Sequence, residues 1–349
     1  MMEGNCLVVA RGATGIWLIL RALELEGYEA LVPANLCYAG VYPVVYAGMK
    51  PVFCDVDPES GNVTIESVAS VLSDRVRAMI IPHMYGNPVS GFEQIRSLCR
   101  DRGITLVEDC ASAMGATSEA YDVGSMGDYC VYSTGYAKTI DLGYGGLIVS
   151  REHLLDRIAE LESQLPAETE QAHRETTLFS ALYRVLRNQG EGTRLAEHLY
   201  RTMMESCRDA FVHRMEENRK AELLRSLRTL PDVIQKRREA WKEYQERLSG
   251  LRHARMYPFS PGAVPWRANL LIEDRELRKK VIQGCLDRHL PVSDWYPRVT
   301  PMFGEKRCFP GAQWHEEHIL NFPLLTDPNG KKEICEYLLS QLAQRRRGI

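Results

Sequence analysis

Apolar residues in the first 150 positions follow two different spacings. Apolar positions three or four residues apart predict helices within 15–25 and 92–102. Short apolar runs predict strands at 30–33, 51–56, 78–82, 104–107, 129–132 and 147–149. Strands that alternate with helices predict an α/β fold, in which helices form layers on both faces of a mostly parallel sheet.

The residues at the ends of these strands indicate where a ligand binds. In open parallel sheets, ligands bind beyond the carboxyl ends of the strands. Pro33, His83, Asp109 and Ser133 each stand at or just after the end of a predicted strand. We therefore expect these four positions to lie near one crevice.

The pattern changes in the middle of the chain. Residues 152–210 are rich in Glu, Arg, Leu and Gln, and their apolar positions keep a helical spacing. This composition predicts several partly exposed helices, inserted between two α/β regions.

A second alternation of strand and helix begins near residue 251. A strand is predicted at 269–272, followed by a helix and by another short apolar run at 289–292. We therefore predict a large domain over 1–235, which carries the helical insertion, and a smaller C-terminal α/β domain over 236–349.

The composition, 45% hydrophobic and 26% charged, is typical of a globular protein. A formal net charge of −3 leaves no basic field for nucleic acid or an anionic membrane, so neither is expected as a partner. No stretch approaches the roughly 20 apolar residues that cross a membrane. The ten cysteines form no C-x-x-C pair, which is typical of reduced thiols and predicts a cytoplasmic location.

Residues 12–15, Gly-Ala-Thr-Gly, stand at the start of the first predicted helix. Free amides at a helix start bind phosphate, so the amides of Ala13 and Thr14 are candidate phosphate ligands. A glycine turn with a capping residue explains the same pattern. The nucleotide loop of short-chain dehydrogenases is another alternative. That loop needs glycine where Leu18 stands, and the one Tyr-x-x-x-Lys match, at 46–50, comes too early in the chain.

Asp109 ends a predicted strand in an apolar setting. A carboxylate there is costly unless a cation pairs with it. A protonated pyridine nitrogen is such a cation, and the pairing would keep the ring able to accept electrons. A helix cap or a salt bridge to an arginine are the structural alternatives.

Lys138 follows the hydroxyl residues Ser133 and Thr134 and precedes the glycine-rich stretch 143–146. Hydroxyls suit a phosphate. A lysine among apolar residues and near cationic groups can have a lowered pKa, as a covalent link to a carbonyl cofactor requires. A solvated surface lysine is the ordinary alternative.

A phosphate cradle, a strand-end Asp, and then Ser and Lys before a glycine turn follow the order of a fold-type I pyridoxal-phosphate (PLP) enzyme. The chain resembles the DegT/DnrJ/EryC1/StrS aminotransferases over about 12–150 and 214–323. The matching stretches are 48–57, 81–88, 107–116, 124–128, 133–146, 236–238, 295–297 and 320–323. The resemblance implies a PLP-dependent homodimer that transfers an amino group from glutamate or glutamine to a keto acceptor, mostly a nucleotide-linked keto-sugar.

The resemblance also implies roles for single residues. Lys138 would hold PLP covalently and later move the proton between substrate and cofactor. Asp109 would pair with the pyridine nitrogen, and Ser133 with the amides of Ala13 and Thr14 would bind the phosphate.

Three further residues have roles at the edge of this implied site. Arg214 aligns with a motif that reaches the phosphate of the neighbouring subunit. Tyr296 falls where the C-terminal domain of the family meets substrate, and His83 is a second candidate substrate contact. No metal ion is implied.

The chain departs from the family at two cofactor contacts. Ser112 stands where the family usually has Gln or His, and it remains a candidate cofactor contact. Cys37 stands where an aromatic residue usually stacks on the ring, and the neighbouring Tyr38 is the candidate substitute. These changes leave open a PLP-binding relative with a regulatory or non-sugar role, and, as a weaker alternative, an NAD(P)-dependent short-chain dehydrogenase.

Overall fold

A computed structural model describes residues 6–150, 154–189 and 193–343 of the chain. Its strands are β1 (Cys6–Val9), β2 (Glu29–Pro33), β3 (Lys50–Cys54), β4 (Val76–Pro82), β5 (Thr105–Asp109), β6 (Tyr129–Ser133), β7 (Gly146–Ser150), β8 (Ala254–Met256), β9 (Ala268–Ile272) and β10 (Ile319–Phe322).

The α-helices alternate with the strands in the first part of the chain and dominate its middle. They are α1 (Gly12–Ala22), α2 (Tyr38–Tyr46), α3 (Ile65–Ala69), α4 (Phe92–Arg102), α5 (Leu155–Ser163), α6 (Glu170–Gln189), α7 (Arg194–Ser206), α8 (Arg208–Phe211), α9 (Glu217–Ser226), α10 (Leu230–Arg247), α11 (Arg275–Asp287), α12 (Pro310–His318) and α13 (Pro328–Leu342). Short 3₁₀ helices occupy Met84–Gly86, Leu227–Thr229 and Thr300–Phe303.

The larger sheet has seven strands in the order β1-β7-β6-β5-β4-β2-β3. Its strands from β6 to β3 pair in parallel, whereas β7 runs antiparallel to both of its neighbours. The predicted α/β fold with a mostly parallel sheet is therefore confirmed. β1 has no counterpart among the predicted strands, because its four residues are too short a run to show a period.

Helix α1 lies in the deep core beside the seven-stranded sheet. Ten of its eleven residues are buried, with Arg21 the exposed one. The helix lies between β6 and β7 on one side and α2 and α5 on the other, so nearly every face is covered. An all-round apolar helix of this kind is typical of a buried position.

The middle of the chain is helical, as predicted for 152–210. Helices α5 to α8 lie there, while 151–153 and 190–192 are outside the described residues. The buried face of α6 includes Phe179 and Tyr183, whereas Leu178, Leu182 and Val185 are exposed. The aromatic face packs towards α2, which brings the insertion close to the first α/β units.

The smaller sheet is antiparallel, in the order β10-β9-β8, and has its own apolar core. The run at 289–292 is not a strand, and only Ser293 beside it bridges to Asn321. The predicted domain boundary at 235/236 falls inside α10 and stays a prediction. Among the described residues, no helix combines the length and apolar character needed to cross a membrane.

Candidate active site

A cavity of about 220 Å³ lies at the carboxyl ends of β4, β5 and β6. The predicted site residues that line it are Ala13, His83, Asp109, Ser112, Ser133, Lys138 and Tyr296. The crevice expected from the strand ends is thus present. Pro33 is not part of its wall, since Pro82 of the neighbouring strand lies there instead.

The side chain of Lys138 enters this cavity and makes two polar contacts. Its Nζ donates a hydrogen bond to Ser112 Oγ at 3.1 Å, and the Tyr296 hydroxyl, in the same cavity wall, stabilises its charged form. The backbone of the loop is held from α10 and from the loop before β9, because Arg237 donates to Lys138 O at 2.9 Å and Trp266 Nε1 donates to Ala137 O at 2.6 Å. These bonds keep the amine in one place.

Arg237 and Trp266 were not predicted as part of the site. Arg237 also donates to Trp266 O at 2.9 Å, so the two residues form one support beneath the lysine loop. The signal that could have found Arg237 is its place in the matching stretch 236–238. Its bonding partner lies 99 positions away in sequence, so its role depends on the tertiary structure.

The pKa of Lys138 differs from the sequence-based expectation. Burial by itself would lower this pKa, but Tyr296, Cys37 and Asp109 stabilise the ammonium form, and the net pKa lies above its usual value. The predicted lowered pKa is therefore wrong, because the groups around Nζ are acidic rather than cationic.

The two carboxylates at the end of β5, Glu108 and Asp109, lie in different environments. Asp109 lines the cavity, where burial raises its pKa despite a hydrogen bond from the Ala111 amide at 2.9 Å and the charge of Lys138. Asp109 is therefore the carboxylate that is available to a bound cation.

Glu108 is fully buried and has a structural role. Its carboxylate accepts hydrogen bonds from the amides of Gly124, Met126 and Gly127 at 2.6–3.0 Å, and it pairs with His83 at 2.9 Å. Burial opposes ionisation, but these donors outweigh it and lower the pKa of Glu108.

His83, a predicted substrate contact, is bonded within the protein through both ring nitrogens. It borders the cavity, but its Nε2 bonds Glu108 and its Nδ1 accepts the Val89 amide at 3.0 Å. Both ring nitrogens are thus engaged inside the protein. Potential metal-ligand atoms of His83, Glu108 and Cys110 lie within 4.8 Å of one another. The hydrogen bonds of His83 and Glu108 account for this cluster without an ion.

The start of α1 forms another part of the cavity wall. The amides of residues 12–14 precede the first backbone bond of the helix, which joins Gly15 N to Arg11 O at 3.1 Å. Thr14 does not line the cavity, and its hydroxyl donates to Phe211 O at 2.9 Å, so the Thr14 amide stays only a predicted ligand. Such free amides form an anion site, and Ser133 Oγ adds a hydroxyl beside them.

Gly146 allows this part of the cavity wall to form. A Cβ at this position would lie only 2.7 Å from both Arg11 C and Gly12 N. The first residue of β7 must therefore be glycine for the helix start to pack against the sheet. The glycine-rich stretch noted in the sequence has a steric function here.

Arg11 is a site residue that sequence reasoning missed. It is the cap residue of α1, lines the cavity, and lies 3.9 Å from Glu168. Its Nε is buried and has no hydrogen-bond partner among the described residues. An unsatisfied guanidinium nitrogen next to free helix amides suits an anionic ligand. Its position directly before Gly12 was the available signal.

Tyr38, the predicted substitute for the stacking aromatic residue, does not line the cavity. The ring of Tyr38 packs against Phe179 at 4.7 Å and Tyr183 at 5.1 Å, within the aromatic contact between α2 and α6. Cys37 lines the cavity instead. The position that usually stacks on the cofactor ring is thus a thiol in this chain, and burial raises the pKa of that thiol.

A second cavity of about 600 Å³ adjoins the first near Arg11 and Tyr144. Arginines outnumber acids in its wall, which contains Arg11, Arg184, Arg214 and Arg219 against Glu168 and Glu216. Arg214, predicted to reach a neighbouring subunit, is exposed and lines this cavity rather than the first.

Tyr296 is held in place by a chain of hydrogen bonds that ends at His315. The amide of Tyr296 donates to the Tyr85 hydroxyl at 2.9 Å, and that hydroxyl donates to His315 Nε2 at 3.0 Å. His315 Nδ1 in turn donates to Pro58 O at 2.7 Å. The imidazole must be neutral for this arrangement, and burial lowers the pKa of His315 to about 4.

We expect this histidine to make stability depend on pH. Since the pKa falls from 6.5 to about 4 on folding, the unfolded chain binds more protons between these values. The contribution of neutral His315 to the free energy of unfolding is complete above pH 6.5 and is lost as the pH falls towards 4. It amounts to about 3 kcal/mol. Chemical unfolding at several pH values measures it.

A His315→Asn variant provides the control for that experiment. It should be less stable at pH 7.5 and should lose less additional stability on acidification than the parent protein. Equal losses in the two proteins between pH 6.5 and 4.5 would contradict the role given to His315.

The dehydrogenase alternative is wrong on structural grounds as well. The Tyr46 hydroxyl donates to Met204 O at 2.5 Å, and Lys50 is exposed beside Glu29 at 3.8 Å. Neither residue lines the cavity described above. The Tyr-x-x-x-Lys match therefore brings no catalytic pair to the site.

Comparison with known proteins identifies the family of this chain. A family model described as the DegT/DnrJ/EryC1/StrS aminotransferase family matches residues 1–338. GDP-perosamine synthase of Escherichia coli O157:H7 is 26% identical over 326 residues, which is 91% of this chain and 81% of that protein. The dTDP-4-dehydro-2,3,6-trideoxy-D-glucose 4-aminotransferase of Saccharopolyspora spinosa is 28% identical over 320 residues, or 90% and 77%.

Solved structures share the whole fold. The aminotransferase TlmJ from Streptoalloteichus hindustanus superposes with a TM-score of 0.76 at 24% identity, covering 97% of this chain and 85% of that one. This likeness shows the fold-type I architecture that was predicted from the sequence.

Proposed function

Because this chain belongs to the DegT/DnrJ/EryC1/StrS aminotransferase family, we propose that it moves an amino group from glutamate or glutamine to a nucleotide-linked keto-sugar. Its cofactor is PLP. The observation that carries the proposal is the cavity itself. One space of about 220 Å³ is bordered by the Lys138 amine, the Asp109 carboxylate and the start of α1.

The residues around this cavity fit PLP in two respects. The free amides of Gly12 and Ala13, with Ser133 and Arg11, line the cavity and suit the phosphate, and the Thr14 amide follows them at the helix start. Asp109, whose burial leaves the carboxylate in need of a cation, suits a protonated ring nitrogen.

When bound, PLP supplies an electron sink that stabilises negative charge beside the amino nitrogen. The amine of Lys138 would hold the cofactor covalently, be released by the amino donor, and then carry the proton of the substrate α-carbon. The hydrogen bond that Nζ donates to Ser112 and the nearby Tyr296 hydroxyl fix the direction of Nζ. Asp109 would keep the ring nitrogen protonated throughout.

The second cavity supports an anionic acceptor. Two relatives are named for reactions of GDP- and dTDP-linked sugars. The cavity of about 600 Å³ adjoins the cofactor site, and arginines dominate its charged wall. We propose that it takes the diphosphate of the nucleotide, with Arg184 as one contact.

The central experiment is the visible spectrum of the purified protein with PLP. A yellow protein should bleach towards the amine form of the cofactor with an amino donor, and a nucleotide keto-sugar should restore the colour. Borohydride should fix the cofactor on Lys138, as peptide mass shows. A protein that neither binds PLP nor responds to any amino donor would overturn the proposal, and response to donors without any acceptor would favour the regulatory alternative.

The diphosphate contact gives a separate prediction. We expect Arg184→Met to raise KM for the nucleotide-sugar on the order of tenfold to 100-fold, since a charged hydrogen bond to phosphate is lost. The PLP spectrum should be unchanged. Arg174→Met on the same helix is the matched control, because Arg174 is 73% exposed and pairs only with Glu170 in the described structure. An equal KM for both variants would remove Arg184 from the substrate site.

The oligomeric state and the cellular location complete the proposal. We propose a homodimer in which the exposed Arg214 reaches the phosphate site of the partner subunit. We also propose a cytoplasmic location, since all ten cysteines are free thiols. Sedimentation of the holoenzyme and of its Arg214→Ala variant tests the homodimer.

A further inference from the structure

Helix α6 contacts the segment that carries Tyr296. Arg187 near the end of this helix donates two hydrogen bonds to Asp294, from Nη1 to Oδ1 at 3.1 Å and from Nη2 to Oδ2 at 2.7 Å. One turn earlier, the ring of Tyr183 stacks on Trp295 with centroids 5.9 Å apart. The helical insertion thus touches both residues that precede Tyr296.

The opposite side of the same segment is held by the small sheet. Ser293 exchanges backbone hydrogen bonds with Asn321 at 2.9 and 2.8 Å, and Asn321 Nδ2 donates to Trp295 O at 2.7 Å. The segment 293–296 is therefore clamped between α6 and β10. Movement of either element would move Tyr296 relative to Lys138.

The ion pair has the geometry of a fixed contact. Only 15% of the Arg187 side chain is exposed, and the planar guanidinium meets the carboxylate with both nitrogens. Burial opposes the charge of each partner, yet the pairing raises the pKa of Arg187 and lowers the pKa of Asp294. Arg278 at 3.8 Å from Asp294 and Glu316 at 4.0 Å from Arg187 extend the cluster.

We propose that Arg187 is a positioning residue, which holds the Asp294–Tyr296 segment so that the Tyr296 hydroxyl stays beside the Lys138 amine in the cavity wall. The inference rests on the proposed function, because it needs Lys138 as the residue that holds the cofactor. It gives the helical insertion a role in the reaction: α6 sets the place of the tyrosine that contacts the lysine.

The test uses the PLP-loaded enzyme and the pH titration of its visible absorbance. Tyr296→Phe removes the hydroxyl that stabilises the charged form of Lys138 and should shift the titration midpoint. Arg187→Met should shift the midpoint in the same direction and by at least half as much. The double variant should show no further shift of the midpoint, because both substitutions disrupt the same contact between Tyr296 and Lys138.

Kinetics provide a second readout. We expect Arg187→Met to lower kcat on the order of tenfold to 100-fold, as expected for a displaced catalytic group, with little change in KM for the amino donor. Arg187→Lys keeps the charge but cannot make both hydrogen bonds, so it should recover part of the loss. It also serves as the second variant if Arg187→Met does not fold. Arg174→Met, on the exposed side of α6, should behave as the parent enzyme.

The outcomes separate this inference from the proposed function. A midpoint that Tyr296→Phe leaves unmoved would reject the contact between Tyr296 and the cofactor lysine, and with it the proposed site. A midpoint that moves with Tyr296→Phe but not with Arg187→Met or Arg187→Lys would reject the positioning role alone. Additive shifts in the double variant would also reject it, since independent residues would then be acting.

Discussion

The Lys138→Ala variant is expected to lose amino transfer by more than about 10⁴-fold, while it still folds and binds PLP noncovalently. The amine has two tasks, since it holds the cofactor and moves a proton, so no remaining group replaces it. Its side chain contacts Ser112 and Tyr296 at the edge of a cavity, and its removal leaves no hole in the apolar core. The backbone of the loop keeps its bonds to Arg237 and Trp266.

Single-turnover absorbance with an amino donor measures this loss, and thermal unfolding checks the fold. The matched control is Ser112→Ala, which removes one hydrogen-bond partner of Nζ and keeps the amine. Ser112→Ala should remain active with a modest loss. If Lys138→Ala retained a rate near that of Ser112→Ala, the lysine would have no chemical role and the mechanism would be wrong.

The second large effect is expected for Asp109→Asn. We expect a loss on the order of 10²–10³-fold in kcat, because a neutral amide cannot keep the ring nitrogen protonated. That loss corresponds to about 3–4 kcal/mol of transition-state stabilisation. The fold should be retained, since asparagine has the same shape and its oxygen can still accept the Ala111 amide.

The neighbouring residue provides the control. Glu108→Gln changes an equally isosteric carboxylate that accepts three backbone amides and pairs with His83 in the core. An amide nitrogen there would face donors, so this variant should melt at a lower temperature. Asp109→Asn should show the opposite result, with a much lower kcat and an unchanged melting temperature. An unchanged rate in Asp109→Asn would exclude the carboxylate from the site.

Some of the site could be predicted because the relevant signals are local. Strand periods place Asp109 and Ser133 at the ends of β5 and β6, and the ends of adjacent parallel strands always share one edge. Lys138 follows five residues after Ser133, so its place near that edge depends on a short loop alone. For these residues, position in the sequence determines position in space within a few ångströms.

Other residues could not be assigned because their neighbours come from distant parts of the chain. Cys37 and Tyr38 are adjacent, and which of them faces the cavity depends on α6, whose Phe179 and Tyr183 draw the ring of Tyr38 away. His83 looked available, but Glu108, 25 positions later, occupies its Nε2. Sequence spacing carries no information about such competition between partners.

The sequence by itself determined the α/β fold, the family resemblance and the lysine, because periodicity and motif order are properties of the chain. Tertiary structure alone decided the electrostatics and the supports of the site. The pKa of Lys138 is raised because Tyr296 arrives from the C-terminal region. Arg187 meets Asp294 across 107 positions, since folding brings α6 beside that segment. Charge interactions depend on distance in space, which only the packed chain defines.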